Sequence, residues 1–467
     1  MTAVWENEIS AKLTGSLDFK KRKILAGNDV ITLFYIDSIC DLNYISHYII
    51  EPLSQMGHNI TSKEDVSRVI YASSIGEISD TGQALEHILA GDPVLIFGTL
   101  DYAIYFEAKK IQTRPIEKSQ FDASLVGSNE SFNELLVNNI SLIRKRMATE
   151  TLKVESHILG KQSKTQAALL YIEGVAPEDL VNMARKKLIE MDNEFVLGIQ
   201  YVAEVLSPNK SLFDTTNYSE KPDTVVSRLF EGRISVIVNG SPFALTAPCF
   251  FVEALQAPDD YATNRLFVTL LRFVRLTSFM MSLLLPGFYV ALTTHHFSLI
   301  PSAFVFKLSV SRSGVPFPTV VEVLLMFLFF ELSREAGRRL PQQVGQALSI
   351  VSALILGDAA VGAGLTSEIT VVITGIYAIT SFINPRFTSA VSAWAVFIIV
   401  LSACFGLHGF YLGFILIMAH LASLRSCEYP YLFPLGTEKS LGATNWDVFA
   451  RGPLSKVSKS FVYRGKK

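Results

Sequence analysis

The chain has 467 residues with 41 Lys and Arg against 43 Asp and Glu, and this formal net charge of -2, without a basic stripe interleaved with aromatics, gives no reason to expect nucleic-acid binding. The mean hydropathy of +0.34 alongside 18% charged residues hides a split. Residues before about 264 read as a mixed soluble protein, whereas 266–424 are mostly apolar, which fits a soluble region joined to a membrane region.

The start, MTAVWENEISAKLTG, lacks the apolar core of a signal peptide, so the soluble part is expected on the cytoplasmic side. Residues 1–25 read as a helix ending in the basic run Lys20-Lys21-Arg22-Lys23, a solvated face. A strand is predicted over 30–36, then helices over 39–54, 62–72 and 80–90, with Ser62 and Asp80 as N-caps. Residues 93–97 and 102–111 read as a hairpin. These elements make a first small α/β subdomain, 1–125.

A long amphipathic helix is predicted over 129–147, with Arg144, Lys145 and Arg146 complementing its C-terminal dipole. It leads into a second α/β subdomain, the two together spanning 126–264. The predicted order is strands 151–159 and 166–173, helix 177–190, strand 197–205 and helix 222–231. A final hairpin turns at Asn239-Gly240, where a type I′ turn needs positive φ at both central residues.

No nucleotide-binding glycine loop, nucleophile elbow or H-E-x-x-H occurs, so neither enzymatic activity nor a cofactor is expected. Cys40, Cys249, Cys404 and Cys427 are scattered without zinc spacing and read as reduced thiols. His295-His296 falls at a span end, and no metal is expected there.

The remaining chain reads as an all-α polytopic membrane domain, 265–425, followed by a basic cytoplasmic tail, 426–467. Spans are predicted at 276–294, 316–333, 345–363, 367–384, 389–405 and 408–424, each near the roughly 20 residues a bilayer requires. Pro286-Gly287 is expected to kink the first, and 297–313 reads as interfacial or re-entrant. Arg265, Arg272 and Arg275 suit a cytoplasmic start, and the positive-inside rule favours six crossings with both termini cytoplasmic. In the third span the small-residue pairs Ala353/Gly357 and Ala360/Gly364 permit close helix approach. Asp358 lies among them, either as an interhelical hydrogen-bond partner or as a functional acid.

The stretch VPFPTVVEVLLMFLFFELSREAGRRLP, 315–341, concentrates the chemistry. Pro316 and Pro318 open it and Pro341 closes it. A carboxylate in hydrocarbon costs roughly 2.5 kcal/mol or more, so Glu322 must face protein or a water-filled cavity, a place where an ion is handled. No cation stands beside it in the sequence. Glu331 lies near Arg334, Glu335, Arg338 and Arg339, which read either as a salt-bridged helix end fixing topology or as a gate or coupling surface. Glu322 and Glu331 are about half a turn out of phase, so one helix cannot aim both at a single lumen.

This string, with Phe317, Pro318, Glu322, Met326, Glu331, Arg334, Glu335, Ala336, Gly337, Arg339 and Pro341 in place, resembles the A subunit of GerA-type nutrient germinant receptors of endospore-forming bacteria. The resemblance extends back through Asn139, Leu142, Ile143, Arg144 and Arg146; Tyr171 to Gly174; Pro222, Asp223, Val225, Leu229, Phe230, Gly232 and Arg233; Ser241 to Phe243; and Gln256, Pro258, Asp259, Asp260 and Tyr261. One departure is the stretch DASLVGSNESF, where the family usually has an R-G-P-type step. The resemblance implies a homo-oligomer in the lipid of the spore inner membrane. It further implies a transporter-like B subunit that binds nutrient, a lipoprotein C subunit, and a ligand-gated channel for monovalent cations. Two alternatives are a non-conducting assembly or relay subunit, and a paralogous A-like channel component that amplifies ion release.

Overall fold

The computed structural model describes residues 2–26, 29–56, 63–70, 72, 74–98, 100–109, 130–207, 211–339, 355–435 and 450–457. Two compact units emerge. One comprises Met1–Pro208, Thr216–Pro248 and Leu454–Lys467; the other comprises Asn209–Thr215 and Cys249–Pro453.

The first unit is built on two five-stranded antiparallel sheets. Helix α1 (Thr2–Leu13) precedes the hairpin β1 (Phe19–Ala26) and β2 (Asp29–Ile36). A helical stretch follows: α2 (Leu42–Ile45), a π-helical segment Ser46–Ile50, α3 (Glu51–Ser54) and α4 (Lys63–Val69). Then come β3 (Ile75–Ile78), α5 (Thr81–Ala90), β4 (Val94–Ile96) and β5 (Ala103–Phe106). Asp80 caps α5 by accepting from the Gly82 N–H, as expected from sequence, and Gly91 ends it at φ 91°. Side chains of β2 alternate between two cores. Ile31 and Leu33 join the α2–α4 side, while Phe34 and Ile36 join Trp5, Ile9 and Leu13 of α1 with Ala84 and Ile88 of α5. A strand covered on both faces needs near-continuous apolar sequence, and VITLFYI supplies it.

The second sheet repeats this plan. It runs α6 (Leu136–Arg146), β6 (Leu152–Leu159), β7 (Thr165–Ile172), α7 (Glu178–Ile189), α8 (Ile199–Leu206), β8 (Asn217–Ser219), α9 (Pro222–Phe230), β9 (Ile234–Val238) and β10 (Ala244–Ala247). The strand orders, β1-β2-β4-β5-β3 and β6-β7-β9-β10-β8, coincide element for element. Equivalent helices also pack alike: α1 meets α5, and α6 meets α9. The two subdomains therefore share one topology, which their sequences do not advertise.

Three local expectations are corrected. Residues 1–25 are not one helix: α1 ends at Leu13, and the basic run lies on β1, where Lys21 pairs with Glu6. The strand predicted at 197–205 is helix α8, because Ile199, Val202, Ala203 and Leu206 are spaced for one buried helical face. Asn239-Gly240 is not a type I′ turn, since Gly240 alone has positive φ there. The chain needs Ser241–Phe243 before β10 resumes, and the Asn239 side chain instead accepts from the Leu136 N–H at 3.1 Å, at the start of α6.

The second unit is helical: α10 (Arg265–His295), α11 (Ser302–Ser311), α12 (Thr319–Arg338), a helix over 355–362, α13 (Glu368–Ile383), α14 (Thr388–Phe405) and α15 (Leu407–Ser423). Helices stand where spans were expected, but the expected six are not all membrane-length. Among the described residues, two helices, Arg265–His295 and Pro385–Phe405, are long and apolar enough to cross a membrane. The 16-residue α13 and 17-residue α15 rise only about 24–26 Å against a hydrocarbon core of about 30 Å, and α12 is interrupted by charge. The predicted span 345–363 lies partly outside the described residues, as do Ser62, Pro341 and most of the departing stretch at 122–132.

Helix α10 runs unbroken through Pro286 and begins about three turns before Leu276. Its neighbour Gly287 admits α14: a Cβ there would meet Ile398 Cγ2 at 2.6 Å, and one on Gly413 of α15 would meet Ile398 Cγ1 at 2.9 Å. The seam around Ile398 is thus tight, and at Gly409 of α15 it is tighter still, since a Cβ there would meet the Leu401 carbonyl oxygen of α14 more closely than either. Of the predicted small-residue pairs, Ala353 is outside the described residues, Gly357 faces Val371, and Gly364 stands at φ 67° past the 355–362 helix.

Candidate functional site

Helix α12 starts at Thr319, just after the prolines Pro316 and Pro318; Pro318 takes the N-cap position, where no backbone N–H is needed. One turn in, Glu322 is fully buried. Its Oε2 accepts from the Ser367 N–H at 2.9 Å, from Thr370 Oγ1 at 3.2 Å and from Thr366 Oγ1 at 3.5 Å. Ser367 is the N-cap of α13, so the carboxylate sits at the positive end of that helix's dipole. Tyr289 of α10 reaches Thr370 Oγ1 at 3.2 Å and extends the network. The sequence offered no cation for Glu322, but the fold does: Arg312 Nε, just past α11, lies 3.3 Å from Oε1. The pair is close without being aligned, since neither atom makes a hydrogen bond.

The second acid of α12 makes a separate cluster. Glu331 Oε1 accepts from Ser392 Oγ at 2.7 Å, Arg334 Nη1 at 2.9 Å and Tyr377 OH at 3.0 Å. Arg334 Nη2 donates to Ser381 Oγ at 2.7 Å. Partners from α13 and α14 thus fix the helix end, and Phe327 stacks on Tyr377 at 3.9 Å. Arg334 is buried, whereas Glu335, Arg338 and Arg339 are exposed and pair among themselves, Arg339 with Glu335 at 2.8 Å and Arg338 with Glu335 at 3.6 Å. The five-residue cluster therefore divides into an inward pair and an outward triplet. Asp358 is exposed on the 355–362 helix and joins neither network.

A third polar centre was missed. Asp260 is buried and receives Arg275 through two bonds, Nη1 to Oδ2 at 2.7 Å and Nη2 to Oδ1 at 2.9 Å, with Arg272 Nε at 3.3 Å. The Q-x-P-D-D-Y string is thus the anchor of α10, and two arginines counted as membrane-flanking charges share one buried aspartate inside the unit. The useful signal was a double aspartate one helix-start before three arginines spaced for one side of α10.

In the first unit, Arg144 and Asp18 form a buried bidentate pair, Nε to Oδ2 at 2.9 Å and Nη2 to Oδ1 at 3.0 Å. Arg146 bonds Glu130 at 2.7 Å and also Asp223. These arginines stand in the last turn of α6 as expected, and they also tie α6 to Asp18 just before β1 and to Asp223 on α9. On β6 and β7, Glu155 takes Arg185 at 2.6 Å and Tyr171 at 2.7 Å. The Arg185 bond holds the Glu155 carboxyl below its ordinary range, and burial with the Glu155 bond pushes the Tyr171 phenol up to about 12. Among the described residues, no group of three or more His, Cys, Asp or Glu is placed to hold a metal.

These strings are those of a single family. Residues 7–461 match the family described as Bacillus/Clostridium GerA spore germination protein. The chain belongs to this GerA spore germination family. It is 32% identical to spore germination protein KA of Bacillus subtilis (strain 168), over 98% of this chain and 89% of that protein. It is 33% identical to the uncharacterized membrane protein YfkQ of the same organism, over 94% and 86%, and 34% identical to spore germination protein GerLA of Bacillus cereus, over 79% and 76%. The crystal structure of the N-terminal domain of the A subunit of the Bacillus megaterium spore germinant receptor GerK3 aligns with 24% identity and a TM-score of 0.41, covering 53% of this chain and 94% of that one.

Proposed function

We propose that the chain is the A subunit of a spore nutrient germinant receptor, a multi-pass protein of the spore inner membrane with both termini cytoplasmic. It works with a transporter-like B subunit and a lipoprotein C subunit. Copies assemble around a path for monovalent cations, and ion release starts germination. The observation that carries this reading is the family match running without a break across the sheet unit and the helical unit. The apolar helices α10 and α14 support membrane insertion. A lumen between copies is lined by outward faces, so Asp358 is the better lumen candidate, while the buried Glu322 and the partnered Glu331 act within one chain.

That same observation favours a second reading, in which the chain conducts nothing and relays receptor occupancy through its internal ion pairs. Reconstitution in liposomes separates the two. Potassium flux from the chain alone or with B and C partners, reduced by Asp358→Asn, supports the channel. An intact oligomer that conducts in no combination supports the relay. Neighbouring genes for B-type and C-type partners distinguish a receptor subunit from a paralogous amplifier.

A further inference from the structure

Three carboxylates of the helical unit differ in how completely they are filled. Asp260 has both oxygens on guanidinium donors, and Oδ2 also accepts from the Ala257 N–H at 3.1 Å. Glu331 is held by a tyrosine, a serine and an arginine from its own helix and two neighbours. Glu322 is the most deeply buried, yet only Oε2 is satisfied; Oε1 accepts no hydrogen bond. Native proteins rarely leave a buried carboxylate oxygen in this state, and each such case asks for an occupant.

The surroundings define the occupant's chemistry. Thr366 and Thr370 place hydroxyls on Oε2, Ser367 adds its backbone N–H, and the Ser367 and Tyr289 hydroxyls extend this network through Thr370 Oγ1. A carboxylate oxygen with hydroxyls close by suits a hard cation, and a single negative charge balances a single positive one. A divalent ion would remain a net charge in a buried place, which is unfavourable without more carboxylates. At present the compensating charge is Arg312, at 3.3 Å and misaligned. Its side chain is 24% exposed, it precedes a mostly exposed stretch over 313–318, and Gly314 at φ 94° has open space around it. The guanidinium can therefore leave without opening a hole in the core.

We propose that Glu322 Oε1 is a seat for a monovalent alkali cation, occupied in this structure by the tethered guanidinium of Arg312. A potassium- or sodium-like ion takes the position when Arg312 withdraws with the 312–318 loop. The seat belongs to the folded chain whether or not copies conduct, so its test does not read conduction.

The full chain in detergent is unfolded thermally in potassium, sodium or choline chloride at one ionic strength, as wild type, Arg312→Gln, Arg312→Lys, Glu322→Gln and the Arg312→Gln/Glu322→Gln double variant. Wild type is expected to show equal Tm in all three salts. Arg312→Gln is expected to melt at least about 3 °C higher in potassium or sodium than in choline, since a ligand that binds only the folded state raises Tm. Arg312→Lys, whose point charge fills the seat less well, is expected to show a smaller difference of the same sign, and it decides the matter if Arg312→Gln does not fold. Both Glu322→Gln proteins are expected to ignore the cation. Equal Tm in every salt for both Arg312 variants overturns the seat. So does a cation effect that survives Glu322→Gln, or a Tm in Arg312→Gln that follows pH but not the cation, because the carboxyl then takes a proton instead.

Discussion

Replacing Asp18 with Asn is expected to be among the most damaging conservative changes in the sheet unit. The native carboxylate receives Arg144 through two bonds and Ser38 Oγ at 3.0 Å, while Arg144 also reaches Ser16 Oγ at 3.3 Å and the Thr149 carbonyl at 3.4 Å. Both ionic side chains are 1–2% exposed, so water cannot take over when one partner loses its charge. Removing one member of such a pair costs about 3–5 kcal/mol, because it strands the other charge in a poorly polarisable place. Asp18→Asn keeps the shape and removes the charge, so it isolates that cost. Asp18→Leu with Arg144→Met removes both charges and is expected to cost much less than the sum of the single changes. Backbone hydrogen exchange on β1, β2 and β6, in the full chain, reads the opening free energy where the pair acts. A loss below about 1 kcal/mol for Asp18→Asn, or strict additivity in the double change, would refute the view that this pair bolts α6 to the start of β1.

Gly287→Ala is expected to cost about 1–3 kcal/mol, because its Cβ lies 2.6 Å from Ile398 Cγ2; adding Ile398→Ala should recover part of the loss in detergent-solubilised thermal melts. Glu428→Gly is expected to stabilise the helical unit by about 1 kcal/mol, since Glu428 is exposed and held at φ 71°, and a higher Tm checks it. Burial lowers the His157 pKa from its ordinary 6.5, so its contribution is complete above about 6.5 and is lost as pH falls through that value toward the folded-state one. His157→Asn should therefore flatten the loss of stability measured by melting below pH 6.5, and an unchanged pH slope counts against it.

Much of the architecture was legible because it follows local rules. The apolar period of VITLFYI, the Asp80 cap and the apolar runs after 266 each act through neighbours in the chain, so strands, helix starts and helical runs fell near where they stand. Family membership was equally legible, because it rests on strings of residues rather than on distances. Where reading failed, two structures satisfied the same pattern. The 197–205 segment fits period two or period 3.6, and only the packing of α8, with Ile199 and Val202 buried, against β9 and β10 selects the helix.

Tertiary structure alone decided which charges meet. Glu322 and Arg312 are separated by a loop with two prolines, Glu331 finds Tyr377 and Ser392 on other helices, and Asp18 just before β1 finds Arg144 on α6. Such partnerships depend on three-dimensional proximity and on the low polarisability of the interior, which give a charge its strength and its cost. A sequence can state that an acid in an apolar helix must be compensated. Only the fold can state by what, and that difference separates an acid facing a lumen from one locked to an arginine inside its own chain.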